Sequence, residues 1–234
     1  MRGGYATRRR PRSNMPKASV TNVLLAITAA IYGAQWLVPG ITMQGAKITS
    51  KIMRGQWYRL VTPIFLHANL AHLLMNSMSL YNIGPFVEQW FGKRRMLSIY
   101  VLSGVSGVLA SCYWNPRASS VGASGAIFGM VGAAACFFAS NRNELGAGAD
   151  RGLQSILRTV VINTIMGLQI SQIDNAGHAG GFVAGFVLTY LFGPNMRWVG
   201  SPYSGPRLVD VPRVSLAGMQ GDLSRFRRRL SGRQ

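Results

Sequence analysis

Residues 119–130, "SSVGASGAIFGM", decide how this chain is read. The stretch is apolar enough for a membrane helix, yet it carries three glycines and three serines. Ser124 places a hydroxyl between Ala123 and Gly125, where a lipid-facing helix has no use for one. A polar group kept at membrane depth is costly, so each one is a functional candidate.

The surrounding composition agrees with a membrane setting. Hydrophobic residues make up 48% of the 234-residue chain and charged residues 13%, about half the charged share usual in soluble domains. The formal net charge is +19. Its arginines cluster near the two ends, and no helix-turn-helix or RNA-binding signature accompanies them, so a nucleic-acid partner is excluded. Cys112 and Cys136 lie in separate apolar runs without CxxC spacing. They read as small hydrophobes.

A transmembrane helix needs about 20 mostly apolar residues. Six windows qualify: 19–38, 63–83, 96–114, 122–139, 153–170 and 176–192, the fifth interrupted by Arg158. The expected fold class is an all-α membrane protein with six spans. Trp57, Tyr58 and Arg59, in the long first connection, suit headgroup depth, which makes that loop partly membrane-embedded. Three parts follow: a basic tail over 1–18, a helical domain over 19–194, and a basic, disordered tail over 195–234.

Of the 25 lysines and arginines, nineteen fall in the two tails and the second-to-third and fourth-to-fifth connections. Five (Lys47, Lys51, Arg54, Arg59 and Arg117) fall on the other side, and Arg158 is within a span. The bias places both termini on the cytoplasm-like side, with the C-terminal arginines touching anionic lipid. The first span reads as an anchor rather than a cleaved signal.

All three histidines sit at expected membrane depth. His67 and His72 fall in the second window and His178 in the sixth, with Asn76 one helical turn after His72. Zinc is disfavoured. The five-residue spacing rotates His67 away from His72, and no HExxH glutamate lies between them. Neither a metal nor a cofactor is expected.

Ser124 opens the fourth window, where free amides and the positive helix end favour an oxyanion. A serine nucleophile needs a base, and His178 is the histidine on another late helix. Ser124 could instead bond back to a carbonyl of its own helix, as membrane serines often do. Gly125 and Gly129 form a small face on one helix, and Gly177, Gly181 and Gly185 form another. Such faces permit the close approach that a Ser–His pair requires, or serve packing alone. The G-x-S-x-G elbow is absent, because Ala126 occupies its last position. Asp174, four residues before His178, reads as a solvated loop residue.

Five pieces in this order resemble the rhomboid family of intramembrane serine proteases: "GQWYRL" (55–60), "HANLAHLLMN" (67–76), "VEQWFG" (87–92), "GASGAIFG" (122–129) and "HAGGFVAG" (178–185). The resemblance implies a six-helix bundle whose site opens opposite the termini. It implies Ser124 as nucleophile and His178 as general base. It implies His72, Asn76 and Gly122 at the oxyanion, with His67, Trp57, Arg59, Gly181 and Gly185 in support. "TNVLLAITAAIYGAQWL", "GAKI", "VGASGAIFG" and "GPNM" are similar to plant plastid members. That similarity implies the plastid inner envelope, with bacterial inner and mitochondrial inner membranes as alternatives.

The implied activity is hydrolysis of peptide bonds in or near transmembrane segments, with membrane-protein substrates and the lipid bilayer as partners. A catalytically silent relative that binds membrane clients is the alternative. A proton-relaying transporter is disfavoured because no inverted repeat is visible. Oligomeric state is not legible.

Overall fold

A computed structural model describes residues 19–170, 173–200, 206–211 and 213. The basic tail over 1–18 and residues 214–234 of the other tail lie outside the described residues. Six long helices carry the fold: α1 (Val20–Leu37), α4 (Leu70–Phe91), α5 (Lys93–Trp114), α6 (Ser124–Ser140), α8 (Ala147–Gln169) and α9 (Asn175–Phe192). Short helices α2 (Ile41–Gly45) and α3 (Thr49–Met53) fill the first loop, and α7 (Arg142–Leu145) links α6 to α8. The expected all-α membrane architecture is the observed one.

Helix α6 is the centre, with eleven of its 17 residues buried. Its composition makes that possible, because glycine and alanine let neighbouring backbones come close. A Cβ at Gly181 would overlap the carbonyl oxygen of Gly125, and one at Gly185 that of Gly129. Helices α6 and α9 therefore touch backbone to backbone. The outer surface is apolar instead, with Leu74, Met78, Leu102, Leu109, Val161 and Ile165 exposed. A water-facing bundle would place such residues inside.

By length and mean hydropathy, α1 and α5 qualify as spans at 1.4 and 1.6. α6 is apolar but shorter.

Several boundaries differ from expectation for local reasons. The second span begins at Leu70, not near 63, because the Asn69 side chain caps it by accepting the His72 N–H at 2.9 Å. Residues Thr62–Phe65 form a 3₁₀ turn containing Pro63, and His67 lies between that turn and the helix. The helix then continues through Pro85 to Phe91. Gly92, at φ +79°, turns the chain directly into α5, so Lys93, Arg94 and Arg95 form the first turn of α5 and not a loop.

The C-terminal segment, expected to be disordered, contains a hairpin. Strands β1 (Met196–Val199) and β2 (Arg207–Asp210) pair antiparallel, with Met196 opposite Asp210. Asn141, at the end of α6, accepts the Met196 N–H and donates to the Pro194 carbonyl. Arg95 pairs with Asp210, and Arg197 with Glu144. Met196 is buried in the core cluster.

The two ends of the bundle are distinct. At one end Glu88, near the end of α4, accepts from the Val20 N–H at 2.9 Å and the Thr21 N–H at 3.2 Å. That carboxylate sits at the positive end of α1 and joins the two helices. The hairpin contacts on Arg95 and Asn141 lie at this same end, the one rich in arginine. The first loop packs at the opposite end, where α6 and α9 begin.

Candidate active site

Three of the long helices start with a side-chain cap: Ser19 on α1, Asn69 on α4 and Asp174 on α9. Helix α6 starts on Ala123, and no side chain caps it. Its first amides therefore have no intrahelical acceptor. Ser124 is the first residue of that helix.

Gly122 explains how this helix start is approached. Its φ of +138° is a conformation that side chains rarely adopt. A Cβ there would lie 2.7 Å from Cε1 and 2.8 Å from Nε2 of His72, and 3.8 Å from Ser124 Oγ. The missing side chain at Gly122 thus lets the His72 ring pack directly against the backbone two residues before Ser124. A shallow recess opens beside it, lined by Pro63, Gly122, Ser124, Asp174 and Gly177 among others.

His72 is oriented for donation. Its Nδ1 lies 3.5 Å from the Ala68 N–H as a long acceptor contact. With Nδ1 accepting, the imidazole proton is on Nε2, the atom that faces Gly122. Asn76 is buried, and its Nδ2 donates to the His72 carbonyl at 3.0 Å. One N–H of that amide is used in this way and the second is left for another acceptor.

His178 follows one turn into α9. Its ring lies face to face with Phe128, 4.2 Å between centroids and 11° between planes. Phe128 is four residues after Ser124 and so shares its helical face. Among the described residues no hydrogen bond joins Ser124 to His178. Asp174 and His72 are the ionisable neighbours that act on His178. Asp174 is not a plain solvated residue as expected, for its carboxylate caps α9 by accepting the Gly177 N–H at 2.9 Å.

Gly177 closes the three-helix junction. A Cβ on Gly107 of α5 would meet the Gly177 carbonyl oxygen at 2.7 Å, and one on Gly125 would meet it at 3.3 Å. The glycines expected to bring the two late helices together lie at their contact.

His67 departs from its expected place. Because it precedes α4, it folds back on His72, with ring centroids 5.1 Å apart, where helical spacing had rotated the two away from each other. It is buried, and among the described residues neither ring nitrogen has a partner at ordinary hydrogen-bond geometry. Gln35 fixes its backbone: Oε1 accepts the His67 N–H at 3.0 Å and Nε2 donates to the His67 carbonyl at 2.9 Å.

The expected headgroup cluster divides. Trp57 and Tyr58 are exposed, but Arg59 is buried and donates to the carbonyls of Met43 and Ala46 at 2.9 and 2.6 Å. It secures the end of α2 rather than meeting lipid. Gln35 and Phe128 were missed in the sequence. Only the four-residue offset from Ser124 could have pointed to Phe128.

Ser124 on its uncapped helix start, with His72 and His178 on neighbouring helices, belongs to a bundle of the helical membrane-protein class. The Rhomboid domain profile matches residues 54–195, and the chain belongs to the rhomboid family, whose members are integral membrane proteins. It is 38% identical over 164 residues to Rhomboid protease GluP of Bacillus subtilis (strain 168), covering 70% of this chain and 32% of that protein. It is 35% identical over 177 residues to RHOMBOID-like protein 5 of Arabidopsis thaliana, covering 72% of this chain and 55% of the relative. Rhomboid protease AarA of Providencia stuartii is 29% identical over 202 residues, covering 74% and 72%. The chain thus spans about a third of the first relative and about half of the second.

Proposed function

We propose that the chain is an intramembrane serine endopeptidase that cuts peptide bonds in or near transmembrane segments, with 19–194 as its protease domain. The observation that carries this reading is the packing of the His72 ring on Gly122, two residues before a serine at a helix start that no side chain caps. Ser124 Oγ attacks the scissile carbonyl as its proton passes to His178. The resulting oxyanion lies beside the start of α6, held by the free amides there, by His72 Nε2–H and by the second N–H of Asn76. Each such preorganised donor is worth about 3 kcal/mol. His178 then protonates the departing amine, and water entering through the recess releases the acyl group from Ser124.

His67 supports His72 edge-on, and Gly181 and Gly185 bring the two halves of the dyad together. Trp57 and Arg59 shape the first loop above them. The substrates are membrane proteins, in keeping with relatives that are named rhomboid proteases. The resemblance to plant plastid members supports the plastid inner envelope, with bacterial or mitochondrial inner membranes as alternatives; a fluorescent fusion imaged in the source cell decides among them.

The test is cleavage, in proteoliposomes, of a panel of single-span proteins with helix-destabilising residues in the span. Wild type is expected to cut at least one of them, and Ser124→Ala and His178→Ala none. Cleavage that survives Ser124→Ala contradicts the assignment. If no substrate is cut but one is retained in stable complex, the client-binding alternative stands instead.

A further inference from the structure

Lys47 lies in "GAKI", and by sequence it is one of five loop cations facing away from the termini. In the structure it is completely buried. Its Nζ donates to the carbonyls of Ser111 at 3.2 Å, Asn115 at 2.6 Å and Ala118 at 2.8 Å. An ammonium has three N–H groups, and here each has one acceptor. Ser111 and Asn115 belong to the last turn and C-cap of α5, where the helix dipole favours a cation.

The backbone of Lys47 is engaged too. Its N–H donates to the Ser120 carbonyl at 3.0 Å, and its carbonyl accepts the Ser120 N–H at 3.3 Å, making an antiparallel bridge. Two residues on, the Gly122 N–H donates to the Pro63 carbonyl at 2.8 Å. The whole connection from α5 to Ser124 is therefore gripped by the first loop. Lys47 holds its beginning through the side chain and its middle through the backbone.

We propose that Lys47 is a positioning residue for the nucleophile: its buried ammonium and its bridge to Ser120 fix the 115–122 connection, and through it the placement of Gly122 and Ser124. This rests on the proteolytic reading above. The chemistry favours a lysine. Three carbonyls converge on one point, and a neutral side chain there would leave them buried without donors. Burial pushes this ammonium below the ordinary lysine range, and Cys112 and Asp174 act in the other direction. Such an arrangement is retained for what it holds in place, since a buried charge is weak evidence of stability by itself.

The test measures phosphonylation of Ser124 by a fluorophosphonate probe in detergent, resolved into probe affinity and maximal rate, beside thermal unfolding of the same samples. Lys47→Met removes the donors at similar length; Lys47→Gln keeps a shorter amide with two. The expected result is a maximal rate lowered about tenfold or more in Lys47→Met. Probe affinity should stay close to wild type, both variants should unfold at a lower temperature yet remain folded at the assay temperature, and Lys47→Gln should recover part of the rate. Equal maximal rates in wild type and Lys47→Met overturn the proposal. So does failure of both variants to fold, because Lys47 would then hold the whole bundle and not the connection. If the wild type itself is not labelled at Ser124, it is the proteolytic reading that fails.

Discussion

The His178 imidazole lies flat on the Phe128 ring, 4.2 Å between centroids and 11° between planes. Phe128 also shares a helical face with Ser124, so one aromatic ring sets the proposed base relative to the proposed nucleophile. Phe128→Ala removes the flat wall and lets the imidazole rotate. Activity should fall by about 10- to 100-fold, the penalty expected for small misplacements of reacting groups. Phe128→Tyr should stay within a few-fold of wild type. Initial cleavage rates on one substrate, with unfolding temperatures as control, check this.

Gly122 has no room for a side chain. A Cβ there would press on His72, the side chain proposed to hold the oxyanion. The backbone at φ +138° adds strain of about 1–3 kcal/mol for any other residue. Gly122→Ala is expected to abolish cleavage while the protein still folds with a lowered unfolding temperature. Normal turnover by that variant would remove the His72 contact from the account.

Asp174 tests whether the dyad is really a triad. Its carboxylate caps α9 on the Gly177 N–H, a task asparagine performs equally well. Asp174→Asn should keep its fold and most of its activity, and Asp174→Ala should lose about 1 kcal/mol of stability. A fall of about 10⁴-fold in Asp174→Asn would instead give Asp174 the orienting role of a triad acid.

Backbone contact between α6 and α9 predicts a sharp contrast between two glycines. Gly185→Ala drives a methyl group into the Gly129 carbonyl and should cost about 2–3 kcal/mol or more. Gly33 of α1 meets nothing within 4 Å. Gly33→Ala should be neutral or stabilise the helix by about 0.5–1 kcal/mol. Thermal unfolding in detergent separates the two.

Much of this was legible in the sequence, for physical reasons that can be named. The six long helices follow from apolar length, and the α6–α9 contact from glycines four residues apart. Asn69 marks the start of α4 as a cap, a signal that outweighs the apolar run before it and moves His67 out of the helix. What could not be read are contacts between distant segments of chain. Lys47 and Arg59 look like solvated loop charges until the carbonyls that receive them are seen. Gln35 binds both backbone groups of His67, 32 residues away, and no local pattern announces that. The hairpin was hidden for a similar reason. Its strands are only four residues each, and it is held by Asn141, Arg95 and Glu144 from other elements.

The central claim is that Ser124 is the activated hydroxyl, and mass mapping of the fluorophosphonate adduct tests it most directly. The account predicts one modified serine in wild type, Ser124, with labelling lost in Ser124→Ala and strongly slowed in His178→Ala. Equal labelling of wild type and Ser124→Ala, or an adduct on another serine, would contradict it.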